Sequence, residues 1–416
     1  MEKEKNKVFD EILLPLSSLS DNVRKEMGED ADKYTLSFIP FTINLLFGII
    51  NTIGSVSLLV TEIKTSPAAK KLGLVIASES MYSEAFVRYK SESYRKIFVG
   101  LLETLDFMGI PEIRHLGQFL LIDGSLFPAM VNMEWAHHKK TANAIKLHLS
   151  FELNRMIPIQ FFSTEGNYSE RKFLKNILEA GVTYICDRGY ICFELFKEIY
   201  YKGAFFIIRG KKNLQFTIKE QLIISMPEKF STLLPNVSDI KIIFTNDINQ
   251  LTYRIIKFTA MGEAYILITD RFDLTTYEVI MLYAYRWQVE LIFRFLKRTF
   301  SGIHLMTHNP EGIRIQFYLY MIAYLLLLSF KQKCAKIDNA DLAVKQIIDE
   351  SEQAAIDDAQ VSGVLSQKIY TCGLVSLLGE KLKTYWKIGI HWLKVVKNLL
   401  IEQFEHGIVK LIALQS

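Results

Sequence analysis

Through residues 1–110 the apolar positions recur three and four apart, the spacing that lines one face of a helix, so this stretch reads as mostly helical. Within it, Ser66-Pro67-Ala68-Ala69-Lys70-Lys71-Leu72-Gly73 has a capping serine, a proline at the first helical position and a closing glycine, which predicts a short helix. Glu79 to Leu105 carries a second helical pattern, with Arg88, Lys90, Arg95 and Lys96 among its polar positions. The pair fits a helix-turn-helix and equally fits a plain helical hairpin with a solvated basic face. Thr35 to Thr61 has no charged residue, and Ile315 to Phe330 is a denser apolar run. Pro40, Asn44, Gly48, Asn51, Gly54 and Ser55 interrupt the first, and the second is short for a bilayer. Both are therefore read as buried core helices, and no membrane association is expected.

From Gln118 the period changes. Phe119 to Ile122 is a short apolar run that reads as a buried strand, with Asp123-Gly124-Ser125 as a turn at its end. Ala144 to Leu153 alternates, placing Lys146 and His148 on one face and Ile145, Leu147 and Leu149 on the other; Pro158 to Ser163 is a third strand. Ser169 to Ala180 is a serine-capped helix stopped by Gly181. Val182 to Cys186 is a further buried strand with Asp187-Arg188-Gly189-Tyr190 at its end; Ile191 to Tyr201 is helical, Gly203 closes it, and Ala204 to Arg209 is a fifth strand. Three strands, helix, strand, helix, strand is the order of an RNase H-like domain: an α/β fold with a mixed sheet flanked by helices. Residues 211–272 then read as a β-rich insertion, with strands at Lys241–Thr245, Leu251–Thr259 and Ala264–Thr269. Thr275 or Thr276 caps one long helix running to about Thr299. The organisation expected is a helical N-terminal region (1–110), an α/β domain (111–330) holding the insertion, and a helical C-terminal region (331–416), in which Gly379 to His406 is amphipathic.

Composition narrows the partners without naming them. Half of the 416 residues are hydrophobic and 23% are charged, as in ordinary globular chains, and the net charge is only +4. Any nucleic-acid surface must therefore come from local basic clusters. The Lys- and Glu-rich start lacks the apolar core of a secretory signal, and the four cysteines form no C-x-x-C pair. Neither a zinc site nor disulfides are called for, which suits the reducing cytoplasm of a microbe.

The chemistry concentrates on the long helix. Tyr283, Arg286, Glu290 and Lys297 fall within roughly 60° of one another at the helical repeat, and Arg294 joins the same stripe. An exposed stripe of one carboxylate among a phenol and three cations suits a face turned towards DNA phosphates and bound metal. Tyr283-x2-Arg286-x3-Glu290-x6-Lys297 resembles the tyrosine–arginine–glutamate–lysine signature of a large family of bacterial insertion-sequence transposases of the DDE type. Ile122-Asp123-Gly124-Ser125, Cys186-Asp187-Arg188-Gly189-Tyr190 and Tyr285 to Arg298 resemble the same family, over roughly residues 115–330.

The resemblance implies metal-dependent cleavage at insertion-sequence ends and strand transfer into target DNA. Asp123, Asp187 and Glu290 would be the catalytic and metal-binding acids, with Asp123 bridging two Mg²⁺ ions and the other acids binding one each; Mn²⁺ would substitute. It also implies that Arg286 and Lys297 grip phosphates and that Tyr283 lies against a terminal phosphate or its sugar. Trp287 is the aromatic nearest to hand for a flipped base. Double-stranded DNA, as terminal inverted repeats and target, is the expected partner, and a homodimer is expected because two ends are cut together. The N-terminal region is the candidate for element-end binding and the C-terminal helices for dimerisation. Alternatives are an RNase H-like nuclease without strand transfer and a catalytically silent DNA-binding relative. Arg188 fits a DNA contact or an acidic neighbour; Arg209, with Lys211 and Lys212, fits a backbone contact or a solvated loop. His137-His138-Lys139-Lys140 reads as an exposed hairpin tip, and Lys146 and His148 face the presumed site.

Overall fold

The computed structural model describes residues 7–338 apart from positions 52, 108, 129–132, 134–135, 140–141, 261 and 300–304. By contacts the chain divides into two compact units: one is Met1–Met108 resumed from Leu296, and the other includes Gly109–Phe295.

The first unit is helical over its described residues: α1 (Lys7–Met27), α2 (Phe38–Ile50), α3 (Val56–Thr65), α4 (Pro67–Lys71), α5 (Glu79–Arg88), α6 (Ser91–Thr104) and, from the later segment, α12 (Pro310–Asp338). Thr35 to Thr61 thus forms α2 and most of α3, and α2 is too short to span a bilayer. Ten of its thirteen residues are buried. Pro310–Phe330 within α12 is long and apolar enough to cross a membrane, yet two-thirds of its most apolar window is buried inside the protein, as in a core helix. The aromatic rings of Phe38, Phe41, Phe86 and Tyr89 pack edge-on and tilted at 5.1–5.4 Å. Buried polar groups pair across the helices: Asn44 Nδ2 donates to Tyr82 Oη at 2.8 Å, and Thr42 Oγ1 lies 3.2 Å from Tyr94 Oη. The helix expected over Glu79–Leu105 is broken at Tyr89–Lys90. Glu311 explains the break, because its Oε1 accepts from both the backbone N and the Oγ of Ser91 at 2.7 Å and so caps a new helix start.

The second unit is a mixed α/β layer. Its strands are β1 (Gln118–Pro128), β2 (His137–Lys139), β3 (Ala142–Glu152), β4 (Ile157–Glu165), β5 (Val182–Cys186), β6 (Phe205–Arg209), β7 (Phe216–Gln221), β8 (Ser238–Phe244), β9 (Thr252–Ala260) and β10 (Glu263–Thr269). Among the described residues they join in one sheet of order β2-β3-β1-β5-β6-β10-β9-β8-β7, with β4 also paired to β3. β1, β5 and β6 run parallel and β3 and β4 antiparallel, while the insertion strands extend the same sheet, β10 joining β6 antiparallel. Helix α7 (Glu170–Asn176) leads from β4 into β5, α8 (Phe193–Lys202) joins β5 to β6, and α9 (Glu228–Leu233) lies between β7 and β8 in the chain. Every residue of β5 is buried, and its one small polar side chain, Thr183, accepts from Arg271 at 2.5 Å. Gly203 ends α8 in the left-handed region at φ +70°, where a side chain would strain the backbone.

Three expectations change here. β1 does not end at Ile122: Asp123-Gly124-Ser125 remains strand, because β3 pairs with it as far as Pro128. His137 to Lys139 is the short strand β2, paired antiparallel with β3 as far as Lys139 against Ala142, so these residues form one arm of the expected hairpin. The single long helix is two, α10 (Thr276–Ala284), followed within two residues by α11 (Trp287–Thr299). Between them Arg286 N bonds Tyr283 O at 3.0 Å and Gln288 N bonds Tyr285 O at 2.9 Å, a three-residue spacing that tightens the turn. Thr275 caps α10 through a reciprocal box with Glu278, whereas Thr276 Oγ1 donates to Asp239. Residues 339–416, and with them the expected dimerisation region, lie outside the described residues.

Candidate active site

Parallel pairing of β1 with β5 sets Ile122 against Cys186. Asp123 and Asp187 are the next residues along each strand's path, so both acids stand at the same level, where the β1–β5 pairing ends. Asp123 sits where β1 has outrun β5 but is still held by β3 opposite Leu149. Asp187 stands at the residue before a single 3-10 turn, Arg188–Tyr190, and its carboxylate makes no capping bond to that turn.

Glu290 reaches this corner from α11 through Arg286. The guanidinium Nη2 donates to Glu290 Oε1 at 2.5 Å, and Nη1 lies 3.6 Å from Asp123 Oδ2. The Tyr283 ring stands 5.9 Å from the same guanidinium. Tyr283 and Arg286 are buried and Glu290 is partly exposed, so the start of the stripe expected to face solvent turns into the unit's interior. Lys297 and Arg294 follow Glu290 on α11; their side chains lie outside the described residues.

The electrostatics follow from burial and neighbours. Burial pushes the Asp123 carboxyl up to about 6; Arg286 and the Gly124 N–H, 2.8 Å from Oδ1, pull it down, while Glu290 and Glu170 push it up. Burial works against the Arg286 charge, but Tyr283, Glu290 and Asp123 outweigh it and hold the guanidinium above its usual value. Burial lifts Tyr283 to about 12, with Arg286 and Arg209 pulling down and Asp187 pushing up. The Tyr190 phenol is raised by burial and then by Cys186, Glu170, Asp123 and Asp187. His148 is pushed down to about 4 by burial and by Lys146, so at neutral pH it is uncharged. Its ring stacks on Phe173 at 5.0 Å and its Nε2 bonds Thr164 Oγ1 at 2.9 Å, as a core side chain.

The other residues singled out from the sequence are placed as follows. Arg188 is exposed beside Asp187. Arg209 closes β6, stacked 4.7 Å over Tyr265 and 3.8 Å from Glu263. Lys211 and Lys212 are exposed, and Trp287 is buried at the start of α11. In the first unit, Arg88 pairs with Glu84 at 3.6 Å, Arg95 with Glu92 at 2.7 Å and Lys96 with Glu26 at 2.5 Å, so much of that basic face is matched by acids. One residue escaped the sequence reading: Glu170, which pairs with Lys146 at 3.1 Å and acts electrostatically on Asp123. An acid in the first turn of a helix reads as a partner of the helix dipole, so nothing marked it.

Among the described residues no group of three His, Cys, Asp or Glu side chains converges closely enough to hold an ion as it stands. The Arg286 guanidinium instead lies against Asp123 and Glu290, satisfying with a monovalent cation a pair of acids that a divalent ion would also satisfy. The donor set is all carboxylate, the chemistry that hard divalent cations prefer, and it fits such an ion.

The family described as "Transposase DDE domain" matches residues 114–326, which takes in all of these positions. A protein from Sinorhizobium fredii described as the transposase y4zB is 26% identical over 211 residues, covering 50% of this chain and 59% of that one. A Geobacillus stearothermophilus protein described as the transposase of insertion sequence element IS5377 is 22% identical over 218 residues, 51% of this chain and 56% of that one. One from Synechocystis, described as the transposase of insertion sequence element IS4SA, is 25% identical over 189 residues, 44% and 50%. The chain thus spans between half and three-fifths of the length of these relatives. With the family match over half its residues, this chain belongs to the DDE transposase family.

Proposed function

We propose that this chain cuts DNA at the ends of an insertion sequence and joins the freed 3′ ends to target DNA, with Asp123, Asp187 and Glu290 as its catalytic acids. The observation that carries the reading is the shared neighbourhood of the three: the aspartates follow paired residues of β1 and β5, and Arg286 spans Asp123 and Glu290. The strand order β4-β3-β1-β5-β6, with β1, β5 and β6 parallel, supports an RNase H-like description of the sheet's first half.

Asp123, Asp187 and Glu290 would hold divalent magnesium, two ions with manganese as a substitute. The bound ions would supply the positive charge that acidifies the attacking water or 3′-hydroxyl and neutralises charge gathering on the phosphate. The protein's own part is positioning. Arg286, once turned from the acids, presents a planar fork that matches a phosphate. The Tyr283 ring beside it restricts where that fork can go. Arg188 and Arg209 flank the acids' corner, and Lys297 and Arg294 extend the cationic series along α11. Residues 1–110 are proposed to bind the element end, and the active form is proposed to be a dimer.

Substituting Asp187→Ala or Glu290→Ala and assaying Mg²⁺-dependent nicking of element-end DNA tests the site. Cleavage is expected to fall at least ~100-fold, in line with loss of a principal charge-stabilising group; undiminished nicking rejects it. Joining of a 3′ end to target DNA by the parent protein separates a transposase from a nuclease of similar fold.

A further inference from the structure

Glu170 opens α7, where an acid ordinarily leans out over the helix start. Here it turns inward. Its Oε1 lies 3.2 Å from the place a Cβ on Gly124 would take, and its Oε2 3.5 Å from the place of a Cβ on Gly189. Neither glycine has a positive φ, so each is used for its missing side chain rather than for backbone freedom. Gly124 follows Asp123 directly, and Gly189 follows Asp187 by two residues. The gap left by the two motif glycines is filled by one carboxylate.

That carboxylate is fixed. Lys146 Nζ, on β3, lies 3.1 Å from Oε1 and donates to Tyr168 O at 3.4 Å. Two further buried polar atoms border the same corner without a hydrogen-bond partner among the described residues. They are Tyr190 Oη, on a side chain 1% exposed, and His148 Nδ1, on one 0% exposed and 3.5 Å from the missing Cβ of Gly124. Asp123 and Glu290 face Arg286 at this corner, and Glu170 faces Lys146.

We propose that Glu170 is a fourth acid of this site: a positioning residue, set between Gly124 and Gly189, whose charge strengthens the hold of Asp123 and Asp187 on a divalent cation. This rests on the three-acid reading above and adds to it. Glu170 acts through the field it contributes and through the spacing it imposes between the glycine of β1 and the glycine of the turn after β5, while Lys146 holds it in place and offsets part of its charge.

The test is binding of Mn²⁺ alone to the full chain, followed by calorimetry and by the electron-spin signal of free Mn²⁺, at one pH above neutrality. Glu170→Gln keeps the shape and removes the charge, and is expected to weaken binding roughly tenfold. Glu170→Asp keeps the charge and is expected to stay within about threefold of the parent. Lys146→Met removes the offsetting cation and is expected to tighten binding. If Glu170 only fills space, Glu170→Gln binds as the parent does, and that result overturns the proposal. Should Glu170→Gln fail to fold, Lys146→Met decides alone: unchanged or weaker binding overturns it. Asp123→Asn is the control that keeps the two ideas apart. If it leaves Mn²⁺ binding intact, the three-acid site fails; if it abolishes binding while Glu170→Gln does not weaken it, only the role of Glu170 fails.

Discussion

The guanidinium of Arg286 closes on the carboxylate of Glu290 one helical turn ahead, and its other nitrogen faces Asp123 across the sheet's end. Two acids from distant parts of the chain are thereby kept near each other by one cation. Removing it leaves them repelling in a poorly solvated corner. Arg286→Ala is expected to cost about 2–3 kcal/mol without added metal, near the lower end for breaking a buried pair because Glu290 is partly exposed. Mg²⁺ or Mn²⁺ should then stabilise the variant more than the parent, since the ion no longer displaces a resident charge. Thermal unfolding with and without metal checks both. Equal melting temperatures without metal, or equal metal-induced shifts, would count against the bridge.

Much of this arrangement was legible along the chain, for identifiable reasons. β5 is buried on both faces, so its sequence carries no charge and little polarity up to Cys186, and Asp187 marks its end. Gly203 and the Thr275–Glu278 box mark helix ends by local chemistry. What was hidden depends on partners far away in sequence. The break before α6 is made by Glu311, and the persistence of β1 through Asp123-Gly124-Ser125 by pairing with β3. β7 escaped because its alternation lasts only from Phe216 to Lys219 and most of its residues are exposed. The tightened turn at Tyr285–Arg286 changes hydrogen-bond spacing without changing the apolar period, so the pattern ran straight through it.

The insertion strands hold the start of α10 through a buried ion pair. Arg254 on β9 donates to both oxygens of Asp239 on β8, at 2.8 and 2.5 Å, and to the carbonyls of Arg271 and Leu274, while Asp239 accepts from Thr276. Arg254→Met leaves a buried carboxylate without its cation and is expected to lose about 3–5 kcal/mol. Pairing it with Asp239→Asn should recover a large part, because no charge is then stranded. Denaturant unfolding of both singles and the double checks the cycle. Additive losses would mean that the two side chains do not act as a pair.

A tight corner precedes β1. A Cβ on Gly109 would fall 1.5 Å from the carbonyl oxygen of Asn154, a backbone atom that also accepts from Ile110 N at 3.3 Å. The Asn154 side chain is committed as well, accepting from Phe119 N at 2.8 Å and donating to Gly117 O at 2.7 Å. Neither partner can retreat without loosening the strand that carries Asp123. Gly109→Ala is expected to cost about 3 kcal/mol, at the upper end for overpacking. Gly28→Ala meets no neighbour within 4 Å and has only a φ of +64° against it, so its cost should be about 1 kcal/mol. Comparable unfolding midpoints for the two variants would refute the clash.

Asp270 gives the fold a pH dependence of definite sign. Burial pushes its carboxyl up to about 7, against the pull of the Phe206 N–H at 2.9 Å, its own backbone N–H and Arg271; Asp273 pushes with burial. In the unfolded chain the group returns to its ordinary value of 3.8. Between these values the folded state keeps a proton that the unfolded state releases, so this contribution to stability falls as pH rises from about 4 to about 7 and is constant above. Asp270→Asn keeps an acceptor for Phe206 N and cannot ionise, so it removes the dependence. The variant is expected to gain on the parent across that window, by on the order of 2 kcal/mol at its upper end, a discounted fraction of the roughly 1.4 kcal/mol per pH unit that a full shift would give. Urea unfolding of both proteins at closely spaced pH values reads the difference directly. Parallel curves from about pH 4 to about pH 8 would show that Asp270 is ionised in the fold at no cost, and that burial does not govern it.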